Sequence, residues 1–259
     1  MNSSVEHIKR YYDAHVFRKL GDFVDGNARV ECAWKTVEDW APAKPARIAE
    51  IGCGIGAVCW RLSQRWPEAV VVGMDISEKS LEVARSLFGS GQISFCEGTL
   101  EPGKLPGQFD LIILMDVYEH IDRSERRVVH EVLKEMRSPR GRIMLSVPTP
   151  RHLQWLQANH PEEIQPIDEH ISIETISTFA KETATEVLFY KEVGIWHEGD
   201  YAHAVLGKQI DWLPVSQNPP SKRTGFLNSL FGKGHARSFS KAERLRLVQS
   251  RLGKEAYPR

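Results

Sequence analysis

Four cysteines in 259 residues, Cys32, Cys53, Cys59 and Cys96, are too few for a disulfide-stapled scaffold, and they lack the paired spacing of a metal site. They are expected to be reduced thiols, some buried as small apolar groups. No run of about 18 apolar residues exists, so no membrane-spanning helix is expected. The first residues, MNSSVEHIKRYYD, lack the apolar stretch of a secretory signal. A cytoplasmic protein is the expectation. Net charge is missing too, since 34 Lys and Arg balance 34 Asp and Glu. That balance conceals an asymmetry: residues 221–259 hold ten Lys or Arg against Glu243 and Glu255, a net +8 that leaves −8 for the rest. Internal repeats are absent, and the one compositional break is Pro219-Pro220, which reads as a linker.

What is present is an alternation of periods. Val5, Ile8, Tyr12, Val16 and Leu20 recur at helical spacing over 4–20, and a second helix is expected over 27–40. Then come short apolar runs, each followed by a helical stretch. RIAEIGC precedes AVCWRLSQRW; AVVVGMDIS precedes SEKSLEVARSLFG, which Ser77 opens and Gly89 closes. QISFCEG is a third strand and FDLIILMD a fourth. RSERRVVHEVLKEMRS is helical, and GRIMLSVP is a fifth strand. A helix and two further strands are expected in 171–210. Strands that are apolar on both faces and alternate with helices predict an α/β fold, a doubly wound, mostly parallel sheet with an antiparallel edge and helices on both faces.

Ligands of such sheets sit outside the carboxyl ends of the strands. After the first strand lies IAEIGCGIGA, in which Gly52, Gly54 and Gly56 let the backbone approach a ligand closely and the next helix offers free N–H groups. Asp75, ending the second strand, suits the two vicinal hydroxyls of a ribose. Both features fit a nicotinamide dinucleotide or S-adenosylmethionine. Glu50 separates the two, because a carboxylate there would repel a pyrophosphate and attract a cationic ligand.

Over about 45–150, AEIGCGIG, the Asp75 of VVGMDIS, FDLIILMDVYEHI and GRIMLSVP resemble the successive motifs of class I S-adenosylmethionine-dependent methyltransferases. The DVYEHI element is similar to a subgroup acting on quinones, sugars, lipids and secondary metabolites. The resemblance implies a Rossmann-like core in which Glu50, Gly52, Cys53, Gly54 and Gly56 hold the methionine part. It implies Asp75 on the ribose, Ile76 against the adenine, and Asp116 and Val117 beneath the cofactor. Thr99 stands where the family commonly has an acid for the adenine amino group, which leaves a backbone contact from Leu100.

Transfer to a hydroxyl needs a base, and histidine is the usual one near neutral pH. His120, beside Glu119 at the end of the fourth strand, and His170 are equal candidates on sequence. His197 and His203 rank behind them. An extended 197–203 segment would divide its histidines from Glu198 and Asp200 across two faces, so no metal is expected.

Three regions are expected. Residues 1–44 form a helical lid in which Tyr11 and Tyr12 touch the cofactor carboxylate or simply pack. Residues 45–213 form the core, with a substrate-side insertion at 150–172. Residues 214–259 form a basic amphipathic tail, with helices over 224–234 and 241–252. Two readings of the tail stand: contact with a membrane surface or anionic lipid through 222–254, or packing on the domain or on a sister subunit in a homodimer. Nucleic acid is not an expected partner. The function expected is O-methylation of a small molecule or a saccharide, which includes a membrane-linked glycan. N- or C-methylation of a secondary metabolite or quinone-type acceptor is the alternative. A nicotinamide-dependent oxidoreductase, for which a Tyr-x-x-x-Lys pair is missing, and an inactive binding protein stand behind it.

Overall fold

The computed structural model describes residues 3–208 and 239–257. Helices α1 (Ser3–Ala14), α2 (Val16–Asp25) and α3 (Ala28–Trp40) precede β1 (Arg47–Ile51), α4 (Ala57–Arg65), β2 (Val70–Asp75), α5 (Glu78–Phe88), β3 (Ile93–Glu97) and β4 (Phe109–Met115). They are followed by α6 (Arg126–Met136), β5 (Arg137–Pro148), α7 (Pro150–Asn159), α8 (Ile173–Glu182), β6 (Glu186–Val193), β7 (Tyr201–Gly207) and α9 (Lys241–Leu252). The linker prolines and the expected helix over 224–234 lie outside the described residues. Among the described residues no helix is long and apolar enough to cross a membrane.

The seven strands run in the order β3-β2-β1-β4-β5-β7-β6. β1 pairs in parallel with both β2 and β4, so the order reverses beside β1. β7 is antiparallel to β5 and to β6, which places the expected antiparallel element one strand in from the edge.

Alternation along each strand divides the core in two. Ile48, Val71, Leu111, Ile113 and Met144 face α2, α3, α4 and α5, with Leu20, Trp34, Leu62 and Leu81 fully buried there. Ala49, Met74, Ile112, Leu114 and Leu145 face α6 and α8, where Leu133 and Phe179 are buried. Such period-two burial on both faces is why the strands read as continuous apolar runs.

Three local features depart from expectation. The helix expected over 4–20 is broken at His15, whose Nδ1 lies 2.6 Å from the Tyr11 carbonyl, and a second helix begins at Val16. Residues 150–159, part of the expected substrate-side insertion in which no helix is expected, form α7, with Thr149 accepting from His152 N and Pro150 at the first position. Residues 194–200 are a turn rather than a strand, because the Asp200 carboxylate accepts from the N–H groups of Ile195, Trp196 and His197.

The tail's second helix forms as expected, closed at its start by a Ser240–Glu243 capping box. Leu245 and Val248 are buried against α2 and α5. Its apolar stripe is therefore used inside the domain.

Candidate active site

The carboxyl ends of β1, β2 and β4 open into a cavity of roughly 1570 Å³. Its wall includes Glu50, Gly52, Cys53, Gly54, Asp75, Ile76, Thr99, Leu100, Asp116, Val117 and His120. Gly56, Glu119 and His170 are not part of that wall.

The glycine loop owes its shape to backbone conformation. Gly52, Gly54 and Gly56 have φ of 72, 53 and 79°, a region that residues with a Cβ avoid. At Gly52 a Cβ would fall 2.3 Å from Val117 Cγ2, so the loop and the β4 end pack backbone against side chain. Gly56 plays its part beneath the loop, against Phe95 and Ala84.

Asp75 ties the loop to β2. Its Oδ2 accepts from Gly54 N at 2.7 Å, and its Oδ1 accepts from Ser77 N at 2.8 Å. Each oxygen has lone-pair capacity left for a hydroxyl. Ile76, half-buried, and Leu100, buried, supply apolar wall beside it. Thr99 turns its hydroxyl to Glu101 Oε1 at 3.1 Å.

Glu50 does not carry the standing charge that its position suggests on paper. It is 4% exposed, accepts from Cys59 Sγ at 2.9 Å, and burial pushes its pKa up to about 8. Near pH 7 it is chiefly a neutral acid, able to ionise when a cation approaches. Burial also pushes the Cys53 thiol up, so that Cys53 is an inert wall group.

Beyond Val117, His120 Nδ1 lies 2.8 Å from the Ile167 carbonyl and 3.0 Å from Asp168 Oδ1. Burial opposes its charge, yet Glu119 and Asp168 outweigh that cost and hold its pKa up at about 9. Glu119 is 1% exposed, its Oε2 has no hydrogen-bond partner among the described residues, and burial raises its pKa to about 8. Glu119 Oε1 lies 3.8 Å from His120 Nε2, too far for a hydrogen bond. His170 sits in the same segment, off the cavity wall. The equality of the two histidines on sequence ends there, since only His120 reaches the cavity.

Four further groups reach the cavity from elements distant in sequence. Lys19 of α2 lies over Gly54 and bonds Ser80 Oγ at 3.3 Å. Tyr12 of α1 donates to Gln165 Oε1 at 3.0 Å, while Tyr11 stays off the wall. Arg29 of α3 pairs with Asp116 Oδ2 at 3.0 Å and donates to Tyr201 Oη at 3.3 Å. Asp116 itself holds a left-handed φ of 53°, and its Oδ1 has no hydrogen-bond partner among the described residues. Helix α1 is fastened over the Asp75 corner by Lys9, which pairs with Glu97 at 2.5 Å and Glu78 at 3.5 Å, and by Asp13, which accepts from Ser77 Oγ at 2.6 Å. Tyr12 is among the residues the sequence brings to the lid, but nothing local in the sequence marks Lys9, Lys19 and Arg29, because long-range packing brings them in.

His203 and His197 do not converge. His203 is 1% exposed and bonds Thr36 Oγ1 at 2.9 Å, and burial holds its pKa down at about 4. His197 is exposed in the 194–200 turn.

Residues 48–141 match a family model described as a methyltransferase domain. The mitochondrial ubiquinone biosynthesis O-methyltransferase of Schizosaccharomyces pombe is 28% identical over 150 residues, 52% of this chain and 53% of that protein. The ubiquinone biosynthesis O-methyltransferase of Azoarcus sp. is 34% identical over 104 residues, 39% of this chain and 43% of that protein. The chain spans about half the length of the curated relatives it matches. Among solved structures, magnesium protoporphyrin IX methyltransferase from Synechocystis PCC 6803 with bound SAH superposes at a TM-score of 0.59 and 17% identity, over 80% of this chain and 100% of that one. The chain therefore has the fold of the S-adenosylmethionine-dependent methyltransferases, and residues 48–141 are similar to a methyltransferase domain.

Proposed function

We propose that this protein transfers the methyl group of S-adenosylmethionine to a hydroxyl oxygen of a small molecule or saccharide, with His120 as general base. The observation that carries the proposal is the Asp75 corner. There a buried carboxylate holds the glycine loop through Gly54 N and keeps lone pairs for ribose hydroxyls, within a cavity that runs on to Asp116 and His120.

The donor set suits that cofactor. Glu50 would accept its ammonium, Lys19 would face its carboxylate, and Ile76 and Leu100 would flank its purine. When bound, S-adenosylmethionine supplies an electrophilic methyl on a sulfonium sulfur. The chain's part is to align the acceptor oxygen and to remove its proton; positioning alone is worth up to about 7–11 kcal/mol in favourable cases. In its neutral form His120 donates from Nδ1 to Ile167 O, which leaves the Nε2 lone pair free for the acceptor proton. Glu119 and Asp168 then stabilise the imidazolium that results. Helices α1 to α3 act as the lid over this chemistry, consistent with the ties from Lys9 and Asp13.

Calorimetry with S-adenosylmethionine and S-adenosylhomocysteine tests the cofactor assignment, with circular dichroism confirming that each variant is folded. Wild type should bind both, and Asp75→Ala should bind each at least about tenfold more weakly, the order expected when a charged hydrogen-bond acceptor is lost. Equal affinity in the folded variant would sink the assignment.

A further inference from the structure

Outside the cavity wall, the carboxyl ends of β5 and the start of β7 carry a concentration of rings. His152 of α7 lies 6.2 Å from Trp155 at an interplanar angle of 10°, and 6.4 Å from Trp196 at 26°. Trp155 in turn lies 4.9 Å from His197 and 5.2 Å from His160. His152 is buried, whereas Trp155 is 39% and Trp196 56% exposed. Two indoles, each next to His152 and each open to water, are an uncommon exposure of apolar area, and such surfaces mark binding sites.

This ledge is joined to the reaction centre. The Arg29 guanidinium lies 5.8 Å from the Trp196 ring centre while bonding Tyr201 Oη and Asp116 Oδ2. One side chain therefore spans from the exposed indole to the carboxylate on the cavity wall. A ligand resting on Trp196 would be linked to Asp116 through the Arg29 side chain.

We propose that Trp155 and Trp196 form a docking ledge for a pyranose ring of the methyl acceptor, adjacent to the sugar unit that receives the methyl group. The site rests on the methyl-transfer proposal and narrows its acceptor to a saccharide. Three observations favour a sugar over a planar phenol. The ledge is open, whereas a small aromatic ligand is typically buried over most of its surface in an enclosed pocket. The rings are interleaved with imidazoles, and His160 has Glu162 at 3.2 Å, so hydroxyls around a sugar rim find partners. A pyranose presents a face of C–H groups, which carries the positive charge that the negative face of an indole attracts.

Saturation-transfer NMR on the full chain loaded with S-adenosylhomocysteine tests this, with methyl α-D-glucopyranoside, methyl α-D-mannopyranoside, maltose and catechol as probes. Wild type should transfer saturation to the ring C–H protons of at least one sugar. Trp155→Ala and Trp196→Ala should each weaken that contact by roughly two- to tenfold, the range for one lost aromatic contact. Affinity for S-adenosylhomocysteine, read by calorimetry in parallel, should be unchanged in both variants. Transfer to catechol alone, transfer to nothing, or sugar signals that persist in the double variant would overturn the docking site. Failure of wild type to bind S-adenosylhomocysteine would instead overturn the methyl-transfer proposal beneath it.

Discussion

The proposed contact between Glu50 and the cofactor ammonium would make cofactor binding a proton-releasing event. With a ligand-free pKa pushed up to about 8 by burial, its carboxyl is about nine-tenths protonated at pH 7. If the ammonium of the ligand requires the ionised form, binding releases about 0.9 proton per site at that pH. Calorimetric enthalpies at pH 7 in buffers of different ionisation heat give this number directly as a slope. Affinity should rise about tenfold from pH 6 to pH 7 and flatten above pH 8. Glu50→Gln should abolish the release and the pH dependence, and weaken binding at pH 8 by roughly 10- to 100-fold, as for a lost hydrogen bond to a charged group. The same variant should gain stability. The folded-state pKa lies above the ordinary 4.5 of an exposed glutamate, so the folded chain holds the extra proton and loses stability as pH rises from about 4.5 to 8. At pH 7 the gain is on the order of 2–4 kcal/mol, visible as a higher Tm. Proton release that survives in Glu50→Gln would refute the reasoning, because another group would then be titrating.

His120→Ala should lower methyl transfer by about 10²–10⁴-fold. In wild type, kcat/KM should climb with pH toward about 9, where His120 loses its proton; a rate independent of pH between 6 and 9 would exclude it as the base. Gly52→Ala places a Cβ 2.3 Å from Val117 Cγ2 at a φ of 72°, which should cost roughly 1–3 kcal/mol in thermal unfolding and remove cofactor binding. Val248→Asp puts a charge at a fully buried position of α9 and should lower stability by several kcal/mol. An unchanged Tm combined with lost binding to anionic vesicles would instead favour the membrane role for the tail.

How far the chain could be read in advance varied by element for physical reasons. FDLIILMD and AVVVGMDIS announced buried strands because a parallel strand covered on both faces has no polar side to show. Ser77 marked a helix start through a cap that the structure retains. Helix α7 stayed hidden because only His152 and Leu153 are buried along it, so it has no apolar stripe to detect. Its one signal was the Thr149-Pro150 start, which also reads as a turn. Within the site, residues at strand ends were legible because topology alone places them. Lys19 and Arg29 were not, since their positions depend on how α2 and α3 dock. The ionisation of Glu50 was equally invisible, because burial and its Cys59 contact are tertiary facts.

Asp75 was described as the residue that fastens Gly54 to the end of β2. It follows that the proposed ribose contact and the shape of the glycine turn are not separate design variables. Any attempt to redirect this scaffold toward a 2′-phosphorylated ligand by removing the acid would also release the loop. A replacement would need to keep an oxygen positioned for Gly54 N, so Asn, whose one side-chain oxygen can accept there, backed by a nearby Arg, is a more promising starting point than a small residue.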